Sequence, residues 1–157
     1  MILLDADVIL IDQKIVNDTR YAINRAAIDR LHGDGHALAM VAHTVLEVVG
    51  VLSYGTPVAN IPLIPIALQK TYGIIIIPDP IYSSEYAQCS FSDLLHQMSQ
   101  KMSLPDAVQA VQIRMFAPHA NALLTWNAKH FRGKIVIPVL TPEEWLQQQT
   151  PPTAPIP

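Results

Sequence analysis

The chain has a single cysteine, Cys89, among its 157 residues. That excludes an internal disulfide and any cysteine-based metal cluster, and it suits a reducing compartment. Charge is scarce too. Only 15% of residues are Asp, Glu, Lys or Arg, and 13 acids against 10 Lys and Arg leave a net charge of −3. The basic excess of a dedicated duplex-binding protein is missing, so contact with nucleic acid would need a local patch or metal ions that neutralise phosphate. No uninterrupted apolar run approaches the roughly 18 residues that span a bilayer. Acidic Asp5, Asp7 and Asp12 stand where a secretory signal would carry a basic start and an unbroken apolar stretch. The sequence therefore reads as a cytoplasmic protein with no membrane partner.

What is present is apolar. Hydrophobic residues make up 50% of the chain, so some apolar surface covered by a partner is expected. The length predicts one domain over residues 1–149, followed by a disordered proline-rich tail, "TPPTAPIP", over 150–157. "ILLD", "HALAMV", "IIIIP", "ALLTW" and "KIVIPV" read as strands, with "IIIIP" buried. Helical spacing runs from about Asn17 to Leu31, with Ile23, Ala26, Ala27 and Leu31 on one side. Further helices are expected in "HTVLEVVGVLSYG", in "ALQKTYG" and from Ser83 to Met102. Another covers "SLPDAVQAVQIRMF", with Ala107, Val108, Val111 and Met115 on one side, and the last is "TPEEWLQQQ". Pro62 and Pro65 oppose a regular helix around them.

Apolar strands alternating with helices predict an α/β fold. The expected architecture is three-layer α/β/α around a central, mainly parallel sheet of about 4–5 strands. In such folds, sites lie at the carboxyl ends of strands where strand order reverses. Asp5 ends the first expected strand, and Asn127 directly follows the strand "ALLTW". Asp7 directly precedes "VILI" and reads as its N-cap. Glu47 and Asp106 carry two readings each, because Thr44-x-x-Glu47 and Ser103-x-x-Asp106 have the form of capping boxes. Thr141-x-x-Glu144, with Pro142 at the first helical position, is a better box still. Asn127 alone reads equally as a turn residue.

Together these residues say more. Asp5, Glu47, Asp106 and Asn127 come from four separate elements, two at strand ends and two in early helical turns. Convergent oxygen donors of this kind suit Mg2+ or Mn2+, which take a few carboxylates and keep several waters. Such ions activate a water and stabilise the leaving oxygen of a phosphodiester, with no need of a protein nucleophile.

"LLDADVIL", "TVLEVVGVL", "LPDAVQAV" and "ALLTWNAKHF", in this order and at these separations, resemble the motifs of PIN domains, above all the VapC-like toxin ribonucleases. The resemblance spans about Ile2 to Leu146 and includes the terminal "VLTPEEWL". It implies a PIN-like fold and a Mg2+- or Mn2+-dependent endoribonuclease acting on RNA. It also implies a homodimer and, for a toxin, an antitoxin protein as partner. By position, Asp5, Glu47 and Asp106 match the three metal-binding acids. Asn127 falls where many members carry a fourth aspartate, and its amide carbonyl would add no negative charge. Asp7 and Thr125 match positions that support the acids.

Lys129, His130 and Arg132, with Lys134, cluster after Asn127 and could meet RNA phosphates, although a solvated basic turn reads as well there. His43 is the one other histidine expected near the site, and Trp126 reads as a packing residue. Two rival readings stand beside the nuclease. One is a degenerate, non-catalytic PIN-fold binding module. The other is an aspartyl-nucleophile phosphatase, in which Asp5 would attack phosphorus and Asp7 would act as general acid.

Overall fold

The computed structural model describes residues 1–79 and 89–149. The tail and the part of the Ser83–Met102 prediction before Cys89 lie outside these residues. Five parallel strands form one sheet: β1 (Ile2–Leu4), β2 (Leu38–Val41), β3 (Ile74–Ile77), β4 (Ala122–Leu124) and β5 (Val139–Leu140). Their order is β3-β2-β1-β4-β5. Among the described residues seven α-helices flank the sheet: α1 (Ala6–Gln13), α2 (Tyr21–Gly33), α3 (Ala42–Ser53), α4 (Ile64–Tyr72), α5 (Phe91–Ser99), α6 (Leu104–Phe116) and α7 (Pro142–Gln149). This is the three-layer α/β/α architecture expected, with an all-parallel sheet of five strands.

Successive strand side chains alternate between the faces, so each strand feeds two cores. Ile2, Leu4, Leu38, Met40, Ala122 and Leu124 pack on one face with Ile28 and Leu31 of α2, Val45 and Val48 of α3, and Trp145 of α7. Leu3, Ala39, Val41 and Leu123 point to the other, where Ala107, Ala110 and Ile113 of α6 meet Phe131 and Ile137. Each fully buried aliphatic side chain contributes about 1.5–3 kcal/mol. Strands covered on both faces read as continuous apolar runs, which is why "ILLD" and "ALLTW" were legible.

Several details differ from expectation. "IIIIP" forms an edge strand with alternating burial, and Ile75 is 53% exposed. Of "KIVIPV" only Val139 joins the sheet, together with Leu140 just after it, because Arg132 to Lys134 and the residues after them run as turns and bends. The inward face of α2 is Asn24, Ala27, Ile28 and Leu31, while Ala26 is exposed. On α6, Met115 is exposed, and Gln109 and Gln112 are buried beside Ala107, Ala110, Val111 and Ile113. Pro62 lies inside a short 3-10 helix (Val58–Leu63), and Pro65 sits in the first turn of α4, where its missing N–H costs nothing.

The chain builds β1, β2 and β3 outward in one direction, then crosses back to place β4 on the other side of β1. The switch point therefore lies between the carboxyl ends of β1 and β4, and a crevice is expected there. Asp5 and Thr125 are the first residues beyond those ends.

Candidate active site

A cavity of about 280 Å³ opens at the switch point, lined by Asp5, Ala6, Asp7, Leu10, Glu47, Val51, Asp106, Gln109 and Asn127. All four residues expected to converge are in that lining. It contains four carboxylates and, among the described residues, no lysine, arginine or histidine.

Asp5 is the N-cap of α1, and its Oδ1 accepts from the Ala6 N–H at 2.7 Å. The cap expected at Asp7 thus belongs to Asp5, because the helix starts at Ala6, one residue before Asp7. Asp5 Oδ1 also accepts from Gln109 Nε2 at 3.2 Å, and Oδ2 accepts from Thr125 Oγ1 at 2.6 Å. Asp7 Oδ2 accepts from the Trp126 N–H at 3.0 Å and lies 3.3 Å from Thr125 Oγ1, whereas its buried Oδ1 has no hydrogen-bond partner among the described residues. Thr125 in turn accepts from the Asn127 N–H at 2.9 Å, so one hydroxyl joins the end of β4 to both aspartates.

Glu47 is released from the capping role. Helix α3 starts at Ala42, with Val41 as its N-cap, so Thr44 lies inside the first turn and its buried hydroxyl finds no hydrogen-bond partner among the described residues. Glu47 reaches the cavity from one turn further on, with His43 Nε2 3.7 Å from Oε1. At α6, only half of the expected box forms: Ser103 Oγ accepts from the Asp106 N–H at 3.3 Å. The Asp106 carboxylate lines the cavity, and its Oδ2 lies 3.3 Å from His130 Nδ1. Asn127 makes no side-chain cap to the short 3-10 helix that follows (Ala128–His130), and its exposed side chain borders the cavity.

Crowded carboxylates in a desolvated cleft hold protons more tightly. Burial raises the Asp5 carboxyl above its ordinary range against hydrogen bonds from Thr125, Ala6 and Gln109, and the Asp106 charge adds to the rise. Burial, then the Asp5 charge, pushes Asp7 up to about 7. Glu47 also rises to about 7, through burial and then the charges of Asp5 and Asp106. Burial lowers His43, with Asp106 opposing.

The basic residues after Asn127 divide. His130 stands beside Asp106, and Lys129 is exposed. Arg132 turns away to pair with Glu144 and lines a separate cavity of about 420 Å³ with Val139, Leu140, Gln147 and Gln148. Trp126 is a packing residue, as read: its Nε1 donates to buried Asn24 at 2.9 Å and Arg20 lies over its ring. The residue missed from sequence is Gln109. Its one signal was its spacing, a single helical turn after Asp106 on the same flank of α6.

The donor set is compatible with a hard cation. It is all oxygen and acid-rich, with one buried carboxylate oxygen that lacks a donor among the described residues. Among the described residues, however, no three His, Cys, Asp or Glu side chains stand as a ready-made ligand group for a metal ion. An open arrangement of this kind suits an ion that keeps part of its water shell and completes its sphere with substrate oxygens. No family model matches the chain, and no curated protein matches it.

Proposed function

We propose that the protein is a Mg2+- or Mn2+-dependent endoribonuclease of the cytoplasm, with Asp5, Glu47 and Asp106 holding the cation and Asn127 beside them. One observation carries the reading: four carboxylates from β1–α1, α3 and α6 line one crevice at the sheet's switch point, with no basic residue in the lining among the described residues. Taking so much like charge out of water is costly unless a cation offsets it. When bound, the ion would supply a polarised water and charge stabilisation at the leaving oxygen of a phosphodiester. The chain's own part is positional. The Ala6 N–H, Gln109 and Thr125 hold Asp5 in place, and the Trp126 N–H holds Asp7 behind it. Asn127 offers an amide oxygen without charge, which favours a single tightly held ion over a pair. This reading assigns Lys129 and His130 to RNA phosphates, with His130 also beside Asp106.

The same reading expects a second copy of the chain and, for a toxin, an antitoxin protein. Tyr54 at 91% exposure and Val58 and Phe91 at 83% and 77% are apolar side chains that such partners would cover. Single-stranded RNA incubated with the protein and Mn2+ should be cut, EDTA should stop the reaction, and Asp5→Asn or Asp106→Asn should slow it by roughly 10²–10³-fold. Intact RNA despite Mn2+ binding would favour the binding-module reading, for which Asn127 in place of an acid is the supporting observation. Hydrolysis of a generic phosphomonoester with RNA left intact would favour the phosphatase. That reading also expects a phosphate-holding lysine, and among the described residues none lines the cavity.

A further inference from the structure

An ionised carboxylate offers about four lone-pair positions, two on each oxygen. On Asp5 both positions of Oδ1 are taken, by the Ala6 N–H at 2.7 Å and by Gln109 Nε2 at 3.2 Å. One position of Oδ2 is taken by Thr125 Oγ1 at 2.6 Å. Asp5 is 6% exposed and Gln109 2%, so these bonds form in a desolvated setting where they are strong. Among the described residues, no second donor meets Oδ2.

This distribution bears on which cation the carboxylate can serve. Mg2+ and Mn2+ accept one oxygen from a carboxylate within a compact octahedron. Ca2+ takes six to eight oxygens and commonly draws both from one carboxylate. We propose that Gln109 is a positioning residue for metal discrimination. By filling Oδ1 it restricts Asp5 to a single ligating oxygen, and so disfavours Ca2+ relative to Mg2+ and Mn2+. The inference rests on the reading of the acidic cavity as a metal centre.

Gln109 is well suited to that task. The Ala6 contribution belongs to the backbone and comes with the helix cap, so among the described residues Gln109 is the one side chain on Oδ1. It donates without adding charge to an already crowded site. Its place on α6 is fixed independently, because Gln112, one turn further along, accepts from the His43 N–H at 3.0 Å and ties α6 to the start of α3.

The test compares Mn2+ affinity, read from the electron paramagnetic resonance of free Mn2+, with Ca2+ affinity from competition. It uses the wild type and Gln109→Met, which keeps volume and removes the donor. The preference for Mn2+ over Ca2+ should fall about tenfold or more, through tighter Ca2+ binding with Mn2+ binding retained. Gln109→Asn, one methylene too short to reach Oδ1, should do the same and stands in if the methionine variant does not fold. An unchanged preference in a variant that still binds Mn2+ overturns the role of Gln109 alone. No Mn2+ binding by the wild type overturns both this role and the metal-centre reading.

Discussion

Asp5 and Asp7 lie two residues apart, yet the fold treats them differently. Asp5 has donors on both oxygens, whereas Asp7 keeps one buried oxygen with none and its carboxyl is pushed up to about 7, first by burial and then by the Asp5 charge. The folded state therefore binds the Asp7 proton more tightly than the unfolded chain does, whose ordinary value is 3.8. Its contribution to stability is fully present below about pH 4 and is lost as pH rises through about 7. In EDTA, the wild type should melt at a higher temperature at pH 5 than at pH 8, and Asp7→Asn should shrink that difference. An identical pH dependence in the variant would contradict this account. Asp7 was a sound cap by position, but the helix begins one residue earlier and Asp5 caps it. Gln109 showed only its spacing from Asp106, since a glutamine in a helix reads as solvated until its partner across the sheet edge is known.

The three expected capping boxes met three outcomes. At α7 the box is complete: Thr141 Oγ1 accepts from the Glu144 N–H at 3.1 Å, and Glu144 Oε2 accepts from the Thr141 N–H at 2.8 Å. At α6 only the serine half forms, and at α3 neither half does. The difference follows from where each helix begins. Strand β2 runs straight into α3, so the helix starts before Thr44 and leaves that hydroxyl buried and unpaired. Substituting valine at each threonine should separate the cases by thermal melting. Thr141→Val removes a cap and should cost about 0.5–2 kcal/mol, roughly 2–4 °C per kcal/mol in a domain of this size. Thr44→Val removes an unsatisfied polar atom at nearly constant shape and should be neutral or stabilising. Equal losses at both sites would contradict the assignment. The failed box matters for the site, because an uncapped start leaves Glu47 free to face the acids.

For the molecule as a whole, strand positions and layer architecture were readable because a parallel sheet buried on both faces demands continuous apolar runs. "ILLD", "HALAMV" and "ALLTW" supplied them. Strand order was not readable, since nothing local in "IIIIP" or "KIVIPV" says which becomes the full edge strand and which contributes only its last residue. Yet strand order is what gathers the acids: only with β4 returning beside β1 do Asp5 and Asn127 share a crevice with Glu47 and Asp106. The central claim is that this crevice is built for a divalent cation. Calorimetric titration of the purified protein with Mn2+ at neutral pH tests it most directly. Saturable binding that weakens at least about tenfold in Asp5→Asn and in Glu47→Gln is the predicted result. Absence of binding, or binding that both substitutions leave unchanged, would contradict it.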